Sequence, residues 1–465
     1  MADRSSAEKA AENRIIFHVD VNSAFLSWSA LKQLQEEPGS VDLRTIPSAV
    51  GGDVKTRHGI ITAKSIPAKK YGVKTGEPVV KALQKCPQLV LVPPDHRAYR
   101  EYSRQFIGIL LRFTPLVQQM SVDEAYMDVT DLLVCNIRKS ASFPDARETV
   151  PSPDARETML SPDAREAAPF PGPREQALSL AQRIRRAVYS ELGFTVNVGI
   201  SVNRLLAKMA SDFEKPDRTH TLYPDEIQEK MWPLPIRSLY GCGAAAAERL
   251  RLVGIETIGD AARADPGMLQ SLLGNKGGEY IWRSANGISS SLVSTQQRQA
   301  KSISNEKTLP ADVGRDNYES DGIPVIRSLA LKVASRMQKS GLEGQVVTLQ
   351  VKTSAFQRYS RQLVLSDPTD RADKLQEAAL ALAGRLLTGA DGLFSKGISI
   401  RLIGVGVSRL TEKQMHQMDL FEWAEQVEET EKREKAQKEK EEKLSAMLKK
   451  INSRYGEGTL EKGMR

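Results

Sequence analysis

Asp123 and Glu124 form an adjacent pair of carboxylates, the residue type that holds hard metal ions through oxygen. Alternating apolar and polar residues predict a hairpin here, with one strand running into Asp123 and another leaving through Met127 and Val129. The acidic pair then lies at the bend or at a strand edge. Because adjacent Asp-Glu pairs are also common on solvated turns, a metal site needs partners elsewhere in the chain.

A third carboxylate, Asp20, follows an apolar run over residues 14–19. Such a run is typical of a buried strand whose last residue emerges at a site. Asp20 lies 103 positions before Asp123, so only a fold that places their two strands side by side joins them.

Helix and strand patterns fill much of the chain up to residue 213. The helix after Asp20 is predicted over residues 22–31, with Asn22 or Ser23 as its N-cap and Phe25 in its first turn. Further helices are predicted over residues 99–113, over residues 175–192 and from Ser201, as N-cap, to residue 213, and a strand is predicted over residues 194–200.

Basic residues are dense between residues 48 and 94, where glycines and Pro78 separate short strands and turns. Beside a carboxylate site, such a lobe could bind a triphosphate; a solvated loop surface is the alternative. Lys215 and Arg218 lie on a second basic loop, after the helix that ends at residue 213. The basic residues of the lobe are Lys55, Arg57, Lys64, Lys69, Lys70 and Lys74.

Gly241 and Gly243 precede a predicted helix over residues 244–252, and together with residues 254–260 they have the form of a helix-hairpin-helix. Backbone N–H groups left open at a helix N-terminus favour phosphate. An ordinary tight helical turn is the alternative.

Residues 301–410 predict the order strand, helix, strand, strand, helix, strand. In the second strand a period of two places Thr348, Gln350 and Lys352 on one exposed face. This segment has 16 Lys and Arg against 11 Asp and Glu, so it carries +5 of the formal net charge of +8. That bias is consistent with a grip on duplex DNA that does not depend on sequence.

Other segments predict no packed domain. Residues 1–13 are polar, and a Pro-Asp-Ala-Arg-Glu repeat of period nine within residues 138–173 predicts a disordered or extended insertion. The tail from Glu422 reads as a charged helix. Three cysteines without CxxC spacing suggest neither disulfides nor zinc, and no apolar stretch is long enough for a membrane span. We expect a soluble intracellular protein.

Four features follow one another along the chain: Asp20, Phe25, the Asp123-Glu124 pair and the run over residues 199–217. With these features in this order, the sequence resembles Y-family DNA polymerases, most closely the bacterial DinB or DNA polymerase IV group. The similarity covers residues 14–410, apart from the insertion. It implies a multidomain α/β fold shaped as a right hand. The implied domains are a palm (14–23 and 95–222), fingers (24–94), a helix-hairpin-helix thumb (223–291), a linker (292–301), a βαββαβ little finger (302–411) and a tail (412–465).

The resemblance also implies roles for single residues. Asp20, Asp123 and Glu124, with the backbone carbonyl of Val21, would hold two Mg²⁺ ions. Phe25 matches the steric gate that excludes a ribose 2′-hydroxyl. Lys215 matches a lysine that binds the triphosphate, and Lys69 takes the place of an arginine there. In this context residues 417–421 resemble a sliding-clamp peptide, comprising Gln417, Met418, Asp419, Leu420 and Phe421.

Three positions depart from the family's usual pattern: Asn22 replaces an acidic residue, Ile66 a fingers tyrosine and Lys69 an arginine. Lysine keeps the charge of arginine but loses its bidentate fork, which affects how the nucleotide is held. All three carboxylates remain, so catalysis is expected.

The resulting hypothesis is an error-prone, template-directed DNA polymerase for translesion synthesis and repair, without proofreading. Its expected partners are primer-template DNA, dNTP and the β sliding clamp, and we expect a cytoplasmic, nucleoid-associated monomer. The alternative is a non-catalytic family member that binds DNA and the clamp and recruits another polymerase. A palm-type nucleotidyl cyclase is a third possibility, but it has no use for the hairpin motif or the basic last domain.

Overall fold

The computed structural model describes residues 14–52, 59–133, 172–296 and 299–413. The chain separates into two compact units at residues 299 and 300, a position inside the segment predicted as a linker. Within the described residues, no helix is both long and apolar enough to cross a membrane.

The first unit contains a central sheet with its helices and two smaller regions. Its strands are β1 (Ile16–Val21), β2 (Ser48–Gly51), β3 (Ile61–Lys64), β4 (Val90–Val92), β5 (Val117–Gln119), β6 (Glu124–Asp128), β7 (Val196–Ser201) and β8 (Thr219–Thr221). Its α-helices are α1 (Ala24–Glu36), α2 (Ile66–Lys70), α3 (Val79–Lys85), α4 (His96–Leu111), α5 (Pro173–Leu192), α6 (Arg204–Ser211), α7 (Ala244–Leu252), α8 (Ile258–Arg263), α9 (Pro266–Leu273) and α10 (Asn275–Ala285).

The central sheet has the strand order β5-β6-β1-β7-β8. β1 is antiparallel to both β6 and β7, and all six of its residues are buried, as its apolar run predicts. Strand β5 ends at Gln119, so Asp123 lies in the turn before β6 and Glu124 is the first residue of that strand. The predicted hairpin is therefore present, with the acidic pair at its bend.

The start of one helix agrees with the sequence prediction, and the start of another does not. Ser23, one of the two predicted N-caps, directly precedes α1, although it has a left-handed backbone (φ 48°) and makes no capping side-chain bond. α6 is capped by Asn203, whose Oδ1 accepts from the Leu206 N–H at 3.0 Å. Ser201, the predicted cap, instead ends β7 and donates its hydroxyl to the carbonyl of Leu222. Ser201 is still part of the strand, and Asn203, the residue directly before the helix, takes the N-cap position.

Helix α6 lies directly against β7. A Cβ at Gly199 would be 2.0 Å from the carbonyl oxygen of Ala207, so this contact requires glycine. The other side of α6 contributes Leu205, Leu206 and Met209 to the core of residues 222–285. The helix is thus shared by the sheet and the following helical region.

The remaining elements of the first unit form two smaller regions. β2 pairs with β3 antiparallel and with β4 in parallel, in the part predicted as fingers. In the part predicted as thumb, α7 and α8 lie one after the other where the helix-hairpin-helix is predicted, and α10 packs closely on α9 at Gly278.

The second unit is a four-stranded sheet with two helices on one face. Its elements are β9 (Ser302–Val313), α11 (Ile323–Lys339), β10 (Leu342–Thr353), β11 (Arg358–Thr369), α12 (Ala372–Ala383) and β12 (Ile400–Glu412). All neighbours in the order β11-β10-β12-β9 are antiparallel. The predicted βαββαβ order is confirmed, and Thr348, Gln350 and Lys352 are among the partly buried residues of β10, whereas Val347, Leu349 and Val351 between them are buried.

Strand β9 is longer than predicted, because the prediction stopped at residue 308. Pro310 lies inside it, where a proline normally ends a strand. β9 is an edge strand, and an edge position tolerates the missing N–H of proline. The predicted disordered N-terminus, most of the repeat insertion, the clamp-like peptide and the charged tail lie outside the described residues.

Candidate active site

The pairing of β1 with β6 brings the sequence-distant carboxylates together. Asp20 and Glu124 are directly opposite in the antiparallel register. The N–H of Val21 donates to the carbonyl of Asp123 at 2.9 Å, which fixes the turn before β6 against the end of β1. The three carboxylates and Val21 therefore occupy one edge of the sheet.

Two lysines from α6 and its following loop neutralise these carboxylates. Nζ of Lys208 lies 2.9 Å from Oε2 of Glu124 and 3.8 Å from Oδ2 of Asp20. Nζ of Lys215 contacts Asp20 and lies 2.8 Å from Oδ1 of Asp212. Sequence reasoning matched Lys215 but missed Lys208. No sequence signal singles out Lys208, because only the structure shows that residues 205–211 of its helix are all buried.

His18 is a second residue that sequence reasoning missed. It is fully buried on β1, with Nδ1 2.8 Å from the hydroxyl of Ser211, which itself donates to the carbonyl of Lys208. Nδ1 must therefore donate to Ser211. Nε2 lies 3.3 Å from Oε2 of Glu124 without the alignment of a hydrogen bond, and burial lowers the pKa of His18.

The two acidic neighbours have opposite pKa shifts. Contact with His18 and the ammonium of Lys208 lower the pKa of Glu124 to about 2, and burial works against them. Lys208 is the better aligned of the two partners, so we assign it the larger share. Burial raises the pKa of Asp123, and the charges of Asp20 and Glu124 raise it further. The hydroxyl of Ser121, 2.5 Å from Oδ1 of Asp123, acts in the opposite direction.

These residues fit a divalent cation by chemistry and charge. Carboxylate oxygens are the ligands that Mg²⁺ prefers, and the pairing of β1 with β6 brings Asp20, Asp123 and Glu124 to one place. Among the described residues, however, no three His, Cys, Asp or Glu side chains already form a metal-binding geometry. In this arrangement Asp20 and Glu124 contact the lysines of α6 and of the loop that follows it.

Phe25 lies in the first turn of α1, as predicted, and is part of an aromatic cluster. Its ring stacks on Tyr99 with centroids 4.7 Å apart and planes at 19°. His96 meets Phe25 edge-on at 6.5 Å, and the hydroxyl of Tyr99 is 2.8 Å from that of Ser29. Tyr99 is 1% exposed and Phe25 is partly exposed, so Tyr99 supports the ring from behind.

The other predicted site residues make no hydrogen bond or ion pair with the carboxylates among the described residues. Lys69 is exposed on α2, and within the described part of the chain no hydrogen bond or ion pair joins it to them. Ile66 begins α2 and is 51% exposed. Gly241 has φ 85° and lies against Tyr280, while Gly243 precedes α7 with open space around it.

Lys352 belongs to the second unit. Its Nζ lies 5.8 Å from the ring centroid of Phe356, an aromatic side chain that is 63% exposed. The predicted basic and polar face of β10 therefore includes an aromatic neighbour that the sequence pattern did not indicate.

Two family models match this chain. Residues 19–212 match the impB/mucB/samB family, and residues 300–420 match the C-terminal domain of the same family. The chain belongs to this family. The first match covers all three carboxylates and Lys208, and the second covers all described residues of the second unit.

Curated relatives and a solved structure agree with this membership. The chain is 36% identical over 413 residues to the DNA polymerase IV of Clostridium acetobutylicum, covering 88% of this chain and 90% of that one. It is 33% identical to the DNA polymerase IV of Bacillus velezensis, covering 98% and 94%. A Y-family DNA polymerase chimera of Dbh and Dpo4 has the same fold, with a TM-score of 0.65, 21% identity and coverage of 85% and 98%.

The pKa of Glu124 gives a first prediction. The Lys208→Met variant removes the aligned ammonium, so the pKa of Glu124 rises from about 2 towards its ordinary value of 4.5. The carboxylate of the unchanged protein contributes stability above about pH 4.5, and this contribution is lost as the pH falls towards about 2. An NMR titration of the Glu124 side chain without divalent ions measures both proteins.

Lys85→Met is the matched control, because Lys85 forms an ion pair with Glu77 far along the chain from the site. It should leave the Glu124 titration unchanged. An unshifted Glu124 in Lys208→Met would show that Lys208 does not hold this carboxylate.

Proposed function

We propose that this protein is a template-directed DNA polymerase of the translesion type, which transfers deoxynucleotides from dNTP to a primer 3′-hydroxyl. The observation that carries the proposal is the assembly of Asp20, Asp123 and Glu124 at one sheet edge with two lysines. The DNA polymerase IV relatives, similar over nearly their whole length, support it.

Asp20, Asp123 and Glu124, with the carbonyl of Val21, would hold the Mg²⁺ ions. When bound, these ions lower the pKa of the attacking hydroxyl and neutralise charge on the triphosphate. The antiparallel register of β1 and β6 keeps the carboxylates at one place, so that little reorganisation is needed as charge develops.

The two lysines differ in access to substrate. The side chain of Lys215 is 38% exposed, whereas that of Lys208 is 11% exposed. Lys215 is therefore the one that can exchange its carboxylate contacts for the triphosphate. Lys208 remains beside Glu124 and neutralises part of the acidic charge.

The rival proposal is a non-catalytic member that binds DNA and recruits another polymerase. Such a protein has no need for three carboxylates with matched lysines, and the described site retains all of them. The intact set favours the enzyme.

Primer extension with Mg²⁺ tests the activity. The unchanged protein should extend a primed template, and the double variant Asp123→Ala with Glu124→Ala should lose at least about 10³-fold in rate, because it loses two of three metal ligands. Binding of the same DNA, measured by anisotropy, serves as the control and should persist in the variant. DNA binding without extension by the unchanged protein would favour the recruiting role.

Phe25 is proposed as the residue that excludes ribonucleotides. Its partly exposed ring lies next to the carboxylate end of β1, and the stack on Tyr99 prevents it from retreating. A 2′-hydroxyl would therefore meet an aromatic ring with no room to move.

In the Phe25→Ala variant, incorporation of rNTP relative to dNTP should rise by about 10²- to 10³-fold, since the steric barrier is gone. Phe25→Tyr keeps the ring and should retain discrimination. Single-nucleotide kcat/KM values for each sugar measure the ratio. Equal ratios in the unchanged and Ala proteins would remove Phe25 from this role.

Residues 417–421 are proposed to bind the β sliding clamp, because Leu420 and Phe421 provide two apolar anchors just after the second unit. Replacing Leu420 and Phe421 by Ala should abolish stimulation by the clamp and leave distributive synthesis unchanged. The readout is product length on primed DNA with and without loaded clamp. Equal stimulation of both proteins would contradict the assignment.

The second unit and the start of α7 are proposed to contact DNA. The net +5 of residues 301–410 suits contact with DNA phosphates, with Lys352 among the candidates, and Gly241 and Gly243 are placed at a helix start that suits phosphate. We propose action as a monomer at the nucleoid. A dimer in analytical ultracentrifugation at working concentration would contradict the monomer.

A further inference from the structure

Two buried amide side chains, Asn22 and Asn197, lie beside the carboxylates but do not contact them. Asn22 follows β1 and is 8% exposed, and Asn197 on β7 has no exposed surface. Nδ2 of Asn22 donates to Oδ1 of Asn197 at 3.0 Å. Burying an amide side chain costs free energy unless its donor and acceptor atoms are hydrogen-bonded. The hydrogen-bond partners of this pair therefore indicate its role.

Most of these partners belong to the loop after α6. Oδ1 of Asn22 accepts from the N–H of Asp217 at 2.9 Å, and Oδ1 of Asn197 accepts from the N–H of Arg218 at 3.2 Å. Nδ2 of Asn197 donates to the carbonyl of Glu214 at 2.6 Å and to that of Ser211 at 3.1 Å. One further bond, from Thr195 to Oδ1 of Asn22, comes from the strand side.

Backbone groups fix the orientation of both amides. The N–H groups of Asp217 and Arg218 require an oxygen, and the carbonyls of Ser211 and Glu214 require an amino group. Only one orientation of each side chain satisfies them, and it leaves Nδ2 of Asn22 facing Oδ1 of Asn197. An aspartate at position 22 would face this oxygen with another acceptor, which gives a physical reason for the departure from the family pattern.

The loop held in this way carries Lys215. Residues 211–218 are bonded to the amides on both sides of Lys215, and Arg185 of α5 donates to Oδ1 of Asp217 at 3.0 Å from another direction. Asp217 has a left-handed backbone with φ 58°, which is uncommon for a residue other than glycine and needs support from its surroundings. The backbone at Lys215 is therefore defined by buried hydrogen bonds.

We propose that Asn22 and Asn197 are positioning residues for the incoming nucleotide, acting through Lys215. They connect β1 and β7 to the Lys215 loop, so that the ammonium is held at the carboxylate edge where the triphosphate binds. This inference rests on the proposed polymerase activity. It adds a role for two amides that contact neither metal nor substrate.

The test is a double-mutant cycle on nucleotide binding. Asn22→Ala should raise the KM for dNTP about tenfold, because the loop loses its bond from Asp217 to Oδ1 of Asn22, while kcat changes less than about threefold. Asn197→Ala should have the same direction and a larger size. In a Lys215→Ala background neither substitution should raise KM further, because the lysine through which they act is gone.

Ser201→Ala is the matched control. Ser201 is also buried on β7 and bonds a backbone carbonyl, but its partner Leu222 lies outside the loop. It should lower stability without changing KM. If Asn197→Ala does not fold, Asn22→Ala and the Lys215 background still complete the cycle.

Hydrogen exchange gives a readout that needs no turnover. The amide of Asp217 should exchange faster in Asn22→Ala, and that of Arg218 faster in Asn197→Ala, because each loses its acceptor. Equal KM increases with and without Lys215, or unchanged exchange in both variants, would overturn the inference. If the unchanged protein does not extend primers, the polymerase proposal fails, and the same cycle on the dissociation constant of Mg²⁺–dNTP decides the role of the amides.

Discussion

The antiparallel pairing of β1 with both β6 and β7 is the constraint on which the site depends. It places Asp20 directly between Glu124 on one neighbour and Asn197 on the other. A shift of register by one residue would turn Asp20 to the opposite face of the sheet and separate these groups. The complete burial of β1 makes such a shift costly, because the apolar side chains of both faces are already packed. The packing that stabilises the sheet therefore also fixes the positions of the polar side chains at the site.

Three carboxylates at one sheet edge repel one another, and two lysines from a single segment of the chain reduce this repulsion. Lys208 and Lys215 are seven residues apart, one inside α6 and one in the loop after it. The first is almost buried and the second is partly exposed. Burial retains Lys208 at the acidic group, because a buried ammonium without a counter-charge is unfavourable. Exposure allows Lys215 to change partners, so one segment supplies both a fixed and an exchangeable positive charge.

Much of the architecture could be predicted from the sequence, whereas the contacts around the site could not. The apolar run before Asp20, the Gly193 helix end and the βαββαβ order follow from local patterns, and the structure contains them. His18 and Lys208 were not predicted as site residues, because in a sequence a buried histidine or lysine cannot be distinguished from any other polar residue until its partner is known. Ser201 misled for a related reason, since its hydroxyl serves a tertiary bond rather than the helix cap. Side-chain partners distant in sequence are the part that local periodicity does not encode.

Asn22 shows how a departure from a family pattern can carry information. In the sequence, Asn22 replaces an acidic side chain two positions after Asp20, and catalysis is still expected because all three carboxylates remain. In the fold its amide bonds both strand and loop, and its neutral charge avoids adding a fourth carboxylate to an edge where burial and neighbouring charges already raise the pKa of Asp123. An amide can donate and accept at once, which a carboxylate cannot. Asparagine therefore removes one negative charge at this position, and its side chain both donates and accepts hydrogen bonds. The site keeps its three carboxylates, and the loop is held by these bonds.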